Sequence, residues 1–250
     1  MRVGLIGAGN MARAMARGWG DPVLCSDGGS GRAAELAAEL GGRAATSAEV
    51  ADESDLVVLC HKPAQVEAVA GEIGGRAKAI ASVVGGVSVD ALQTLYPGAP
   101  VFRLEPNTPV EVRRGIICYA RAPGIDAEFA REVMALLERL GTVVAVPEHM
   151  LGVASAVTGV GPAYMALVVE AQVDAAVRYG LAPSLAGRLA AETMAGTAAL
   201  LQARNYDTLA VRRQVTSPGG TTAKGLDALE RGGLRTAFQS AIDRVSEAER

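Results

Sequence analysis

Through the first 147 residues, short apolar runs take turns with longer stretches in which Ala, Leu and Val recur at helical spacing. The apolar runs are too short for helices and lack a polar alternation, which fits strands buried on both faces. They predict strands at Val3–Gly7, Val23–Ser26, Arg43–Ala45, Leu56–Cys60, Ala79–Val83, Val101–Leu104, Ile116–Ala120 and Thr142–Val146. Between them the 3.6-residue period predicts helices at Asn10–Gly18, Arg32–Leu40, Pro63–Ile73, Val89–Leu95 and Ala127–Leu140. Pro63 suits a first helical position, and Ser88 and Asp126 suit N-caps. Such alternation predicts a parallel sheet covered by helices on both faces.

After Val146 the strand pattern stops. The remainder of the chain reads as helices at Glu148–Val157, Pro162–Tyr179, Ser184–Ala203, Thr208–Gln214, Thr222–Arg231 and Leu234–Glu249. The division therefore falls near Pro147, with an α/β domain over residues 1–147 and an all-helical one over residues 148–250. Helix Pro162–Tyr179 is apolar on more than one face, so the pattern predicts association with further copies of the chain.

Composition narrows the functional classes. Half of the 250 residues are hydrophobic but only 4% are aromatic, so the cores must be built from Ala, Val, Leu and Gly. A net charge of −3 with no basic block gives no source for the phosphate neutralisation that drives nucleic-acid binding. Cys25, Cys60 and Cys118 are odd in number and lack metal or redox spacing, as expected of reduced thiols in the cytoplasm. Met150–Val169 carries no charge over a length that would cross a bilayer. Its Gly152, Gly159, Gly161 and Pro162 favour a buried helix, a loop and a second helix over a membrane span. The opening apolar run is short and enters a glycine turn, which is unlike a signal peptide.

Two glycine-rich turns carry the chemistry. The first is Ile6-Gly7-Ala8-Gly9-Asn10-Met11-Ala12, a strand running into G-x-G-x-x-A and then a helix. Its glycines allow close backbone approach, and the helix start offers unpaired N–H groups to a pyrophosphate, so a dinucleotide is the expected ligand. Asp27 lies twenty residues after Gly7, where a carboxylate bonds ribose hydroxyls and repels a 2′-phosphate. That favours NADH, while Arg32 and the loop Ser26–Ser30 leave NADPH open. Cys60-His61-Lys62-Pro63 ends another strand at the same edge, where Lys62 either reaches a phosphate or stays solvated. The second turn, Ser217-Pro218-Gly219-Gly220-Thr221-Thr222, opens a helix. Exposed N–H groups, a threonine cap and the helix dipole make either a cradle for a small carboxylate or an ordinary capped loop.

These residues resemble the pyrroline-5-carboxylate reductase family. The resemblance rests on Ile6 to Met11, Lys62-Pro63, Gly85-Gly86-Val87, Pro106-Asn107-Thr108-Pro109, Gly161-Pro162-Ala163-Tyr164 and Ser217 to Thr222, in that order along the chain. It implies a Rossmann-type domain followed by an all-α domain that interlocks with its twin. It implies NADPH or NADH lined by Ile6, Gly7, Ala8, Gly9, Asn10, Met11, Ser26, Asp27, Ser47, Cys60, His61, Lys62, Pro63, Val84, Gly85 and Asn107. An imino acid would be lined by Glu148, Ser217, Gly219, Gly220, Thr221 and Thr222, with Thr222 passing a proton through its hydroxyl or the imine arriving protonated. His61 stands where a small apolar residue is usual, Leu104-Glu105 precedes Pro-Asn-Thr-Pro where a Met is common, and Asp27 occupies a site where Ser or Thr often accompanies NADPH use. Two other readings are a reductase of another carboxylated cyclic imine, such as a six-membered piperideine, and a dinucleotide-binding sensor without chemistry. A β-hydroxyacid dehydrogenase usually needs a lysine on the first long helix of the second domain, and Pro162–Tyr179 has none.

Overall fold

Eight short strands line up in the order β3-β2-β1-β4-β5-β6-β7-β8 in a computed structural model that describes residues 1–248. They are β1 (Val3–Ile6), β2 (Leu24–Ser26), β3 (Arg43–Ala44), β4 (Leu56–Leu59), β5 (Ile80–Ser82), β6 (Val101–Pro106), β7 (Gly115–Arg121) and β8 (Gly141–Ala145). Helices α1 (Asn10–Trp19), α2 (Arg32–Leu40), α3 (Ser47–Glu53), α4 (Val66–Ile73), α5 (Val89–Leu95) and α6 (Ala127–Glu138) connect them. The order from β3 to β6 is that of a doubly wound sheet, with its reversal at β1 and β4. β4 is buried at every position, as a strand covered on both faces must be. One core holds Leu5, Met15, Trp19, Phe102 and Leu137, and the other holds Ile6, Val57, Leu59, Ile80 and Leu92.

The sheet departs from the all-parallel expectation at one place. β7 runs antiparallel to β6, with Leu104 opposite Tyr119, while all other pairings are parallel. The cause is the connection: only a single 3-10 turn, Thr108–Val112, separates the two strands, and a parallel crossover needs a dozen residues or more. Pro63 does open a helical stretch, but as the 3-10 turn Pro63–Gln65 ahead of α4. Ser88 and Asp126 are N-caps, accepting from the Ala91 amide and from the Glu128 and Phe129 amides. Helix α3 has no counterpart among the helices expected from the sequence, although Thr46 and Glu49 form a reciprocal capping box at its start.

The chain divides into two compact units, residues Met1–Pro162 and Ala163–Glu247. A 3-10 turn, Glu148–Met150, and α7 (Leu151–Thr158) come after the sheet, and α7 packs on β6 and β7, which extends the first unit to Pro162. Then come α8 (Gly161–Val177), α9 (Pro183–Ala203), α10 (Thr208–Gln214), α11 (Thr221–Arg231) and α12 (Leu234–Ala248). Glu249, the expected end of α12, lies outside the described residues. The helix, break and helix over Met150–Val169 form as expected, but in the single chain only α7 is partly buried, at Leu151, Ser155 and Ala156. α8 has no buried residue, and Leu167 is 63% exposed. By length and composition Glu148–Val177 is apolar enough to cross a membrane, and Gly159-Val160 interrupts it.

Candidate coenzyme and substrate sites

At the C-terminal ends of β1, β2 and β4 a cavity of about 370 Å³ opens. Open α/β sheets hold ligands outside the carboxyl ends of their strands, at the point where strand order reverses. Gly7 leaves β1 with φ +103, and a Cβ there would stand 2.6 Å from the Cys60 carbonyl, so only glycine fits. Gly9 is the N-cap of α1, has no side-chain cap bond, and faces open space where a Cβ would be. The first amides of α1, from Asn10 and Met11 onward, are thus left for an external anion. Gly7 N donates to Ser26 O at 2.9 Å and Cys60 N to Ile6 O at 2.7 Å, which locks the turn to the neighbouring strand ends.

Ile6, Gly7, Ala8, Gly9, Ser26, Asp27, Ser47, Cys60, His61 and Lys62 all line this cavity. Ser26 Oγ and Ser47 Oγ are 3.4 Å apart. The Asp27 carboxylate accepts from Gly29 N at 2.8 Å, Ser30 Oγ at 2.9 Å and Ala33 N at 2.9 Å. Those donors, the Ala33 amide first, hold it below the usual carboxylate range, so Asp27 is a charged group that orders its own loop. His61 Nδ1 lies 3.0 Å from the Lys62 carbonyl oxygen. Burial pushes the Cys60 thiol up to about 12, which keeps it a thiol. Gln65, Ala68, Val69 and Glu72 also line the cavity, beyond the residues expected from the sequence. Their spacing is one helical face running on from Pro63, a signal present in the sequence.

Val84 and Gly85 lie in the turn after β5, next in the sheet to β4. Asn107 is buried and committed to structure: Oδ1 accepts from Ile116 N at 2.9 Å and Nδ2 donates to Thr158 O at 3.1 Å. Glu148 sits in the first unit, where Oε1 accepts from Val89 N at 2.6 Å and from Arg103 Nη1 at 3.3 Å. A larger cavity, about 520 Å³, lies at the opposite edge of the sheet, but its cations Arg2 and Arg43 are both paired with Glu53.

The helical unit holds the other turn. Gly219 has φ +69, and Gly220 N donates to Ser217 O at 3.0 Å, closing the chain back before α11. A Cβ on Gly220 would stand 2.5 Å from Ser217 Oγ. Gly220, and neither threonine, is the N-cap of α11, and no side chain caps it. Thr221 and Thr222 are instead its first two residues, because the left-handed Gly219 starts the helix one position early. An uncapped start at Gly220 leaves the Thr221, Thr222 and Ala223 amides without a local acceptor, with the helix dipole behind them. Among the described residues no group of three His, Cys, Asp or Glu could hold a metal ion.

Both turns fall inside matches to known families. Residues 2–86 match the family described as NADP oxidoreductase coenzyme F420-dependent, and residues 148–250 match pyrroline-5-carboxylate reductase dimerisation. The chain is 35% identical to pyrroline-5-carboxylate reductase of Mycobacterium tuberculosis, over 96% of this chain and 93% of that one. It is 33% identical to pyrroline-5-carboxylate reductase 3 of Mus musculus, covering 97% and 92%. The crystal structure of 1-pyrroline-5-carboxylate reductase from Streptococcus pyogenes superposes with a TM-score of 0.90 at 28% identity, covering 100% of this chain and 98% of that one. With a Rossmann-type sheet unit, an all-helical unit and relatives that match end to end, the chain belongs to the pyrroline-5-carboxylate reductase family.

Proposed function

We propose that this chain is an NAD(P)H-dependent oxidoreductase that reduces the C=N bond of 1-pyrroline-5-carboxylate to give L-proline, the closing step of proline biosynthesis. The observation that carries the reading is a pair of helix starts, α1 after Gly9 and α11 after Gly220, each lacking a side-chain cap. Two such starts suit two anions, a pyrophosphate and a carboxylate. Bound NAD(P)H supplies the hydride. Ile6 to Met11 would cradle its pyrophosphate, with Ser26, Asp27, Ser47 and Cys60 to Pro63 along the adenosine half. Asp27 disfavours a 2′-phosphate and tilts the preference to NADH, while Arg32 in the same cavity keeps NADPH usable.

Ser217, Gly219, Gly220, Thr221 and Thr222 would line the imino-acid carboxylate, which the amides of Thr221, Thr222 and Ala223 would hold, leaving the ring nitrogen to the Thr222 hydroxyl. Holding donor and acceptor carbon in contact supplies most of the rate enhancement. Thr222→Ala is expected to lower kcat/KM about 10- to 1000-fold with coenzyme affinity unchanged. Wild-type turnover in that variant would remove Thr222 from the mechanism.

A second copy is proposed to cover the helical unit. Met165, Leu167, Leu185 and Leu189 on α8 and α9 are each at least 40% exposed, an apolar surface of the kind that oligomers bury. The same cover accounts for the long apolar run Glu148–Val177 without a membrane. Cys25, Cys60 and Cys118 are all free, which fits the reducing cytoplasm.

A further inference from the structure

Along β6 the side chains alternate between two faces. Phe102 and Leu104 enter one apolar core and Val101 the other. Arg103 and Glu105 continue the Val101 face, so a charge appears where the apolar layer would otherwise extend. Arg103 is well inside the sheet, between Ser82 of β5 and Ala120 of β7, and its side chain is 14% exposed. Nη1 meets Glu148 Oε1 at 3.3 Å, Nη2 lies 3.6 Å from Glu105 Oε1, and Nε is buried without a partner. The same Glu148 oxygen accepts the Val89 amide at 2.6 Å. One carboxylate oxygen therefore ties β6, the segment after β8 and the start of α5 together.

Ion pairs in such places seldom stabilise a fold more than apolar residues of equal volume, while they do fix geometry. The element fixed here is the turn Val84-Gly85-Gly86-Val87-Ser88. Gly86 has φ +76, and no atom lies within 4 Å of where a Cβ would stand on Gly85 or Gly86. The turn is anchored at its ends, by Val84 N donating to Ser82 Oγ at 3.2 Å and by Glu148 at Val89. In sheet order β5 comes after β4 on the side away from β2. A dinucleotide with its pyrophosphate at Gly9 and its adenosine toward Asp27 extends its other half over β4 and β5.

We propose that Arg103 is a positioning residue for the coenzyme. By holding Glu148 on the Val89 amide it sets the glycine-rich turn at the height where the nicotinamide half passes. The assignment rests on the reductase reading only in placing a nicotinamide at that edge.

The test is a fluorescence titration of the full chain with NADH, beside a competition titration with ADP-ribose, which lacks the nicotinamide. Arg103→Gln is expected to weaken NADH about tenfold and leave ADP-ribose within about twofold. Arg103→Lys should recover most of the loss, and Arg103→Gln should cost nothing more in a Glu148→Gln background. Should Arg103→Gln fail to fold, Glu148→Gln alone carries the same test, with NADH weakened and ADP-ribose spared. Equal weakening of both ligands, an additive double variant or unchanged NADH affinity would each overturn the proposal. Because binding is read without the imine, a chain that bound coenzyme but reduced no imine would refute the proposed reaction and leave this inference standing.

Discussion

The two units of the chain bury their residues very differently. Residues 1–162 wrap two apolar cores around a sheet whose central strand has no exposed side chain. Among the described residues of the helical unit only Ala186, Ala190 and Val211 are buried. A unit that fills its own core can present a rigid binding edge by itself. One that leaves Leu167 at 63% and Leu189 at 52% exposure has not met the surface it is shaped for. The proposed coenzyme half is therefore complete within one chain, and the proposed substrate half is expected to be completed by another copy.

The largest effect should come from charging the open face. Leu167→Arg is harmless to a lone chain but would place a cation in the proposed interface. Light scattering is expected to show monomers, and imine reduction to fall about a hundredfold or more, with NADH binding retained. A dimer of full activity in that variant would break the comparison. Next is Gly7→Val, where φ +103 and the Cys60 carbonyl leave no room. It is expected to weaken NADH more than about tenfold and lower the melting temperature by several degrees without changing the association state.

Smaller effects sharpen the picture of the coenzyme edge. Asp27→Asn removes a charge from the cavity and is expected to move the NADPH-to-NADH ratio of kcat/KM upward by roughly three- to tenfold. An unchanged ratio would leave Asp27 as a loop anchor only. Acid should act mainly on the sheet unit. Backbone amides hold Asp27 and Asp126 below the ordinary carboxylate range, the Ala33 and Phe129 amides contributing most. Their stabilisation is present above the ordinary carboxylate pKa and is lost as pH falls through the lowered values. Asp126 is exposed and Asp27 only partly covered, so the effect is small, and melting curves of Asp126→Asn should lose part of that acid dependence. The least effect concerns Cys60: with its thiol pushed to about 12, alkylation near pH 8 should be far slower than for a solvent-exposed cysteine of ordinary pKa.

Much of the fold is legible in the sequence, for physical reasons that particular residues make plain. All eight strands appear there, the central ones because buried parallel strands are continuous apolar runs, while β3 at Arg43–Ala44 is exposed at both positions; Gly7 marks a turn that only glycine can make. Strand direction is not written in such runs, so the expectation for β7 fails, although the eight residues between β6 and β7 already exclude a helical crossover. Helix α3 escapes because Ser47–Glu53 is short and polar, and only the Thr46 and Glu49 box marks it. The caps at Ser88 and Asp126 are local and readable, whereas the register of Gly220 depends on the left-handed Gly219. Arg103 and Glu148 lie 45 residues apart, and nothing local in either stretch signals the other. The apolar faces of α8 and α9 are visible in the sequence, but their exposure in a single chain is seen only in the fold.

The most direct measurement tracks the oxidation of NADH and of NADPH by the purified chain, side by side, with 1-pyrroline-5-carboxylate and with its six-membered homologue. Consumption that depends on the five-membered imine, is faster with NADH and yields L-proline is the predicted result. Coenzyme that binds but is never oxidised, whichever imine is offered, would contradict it.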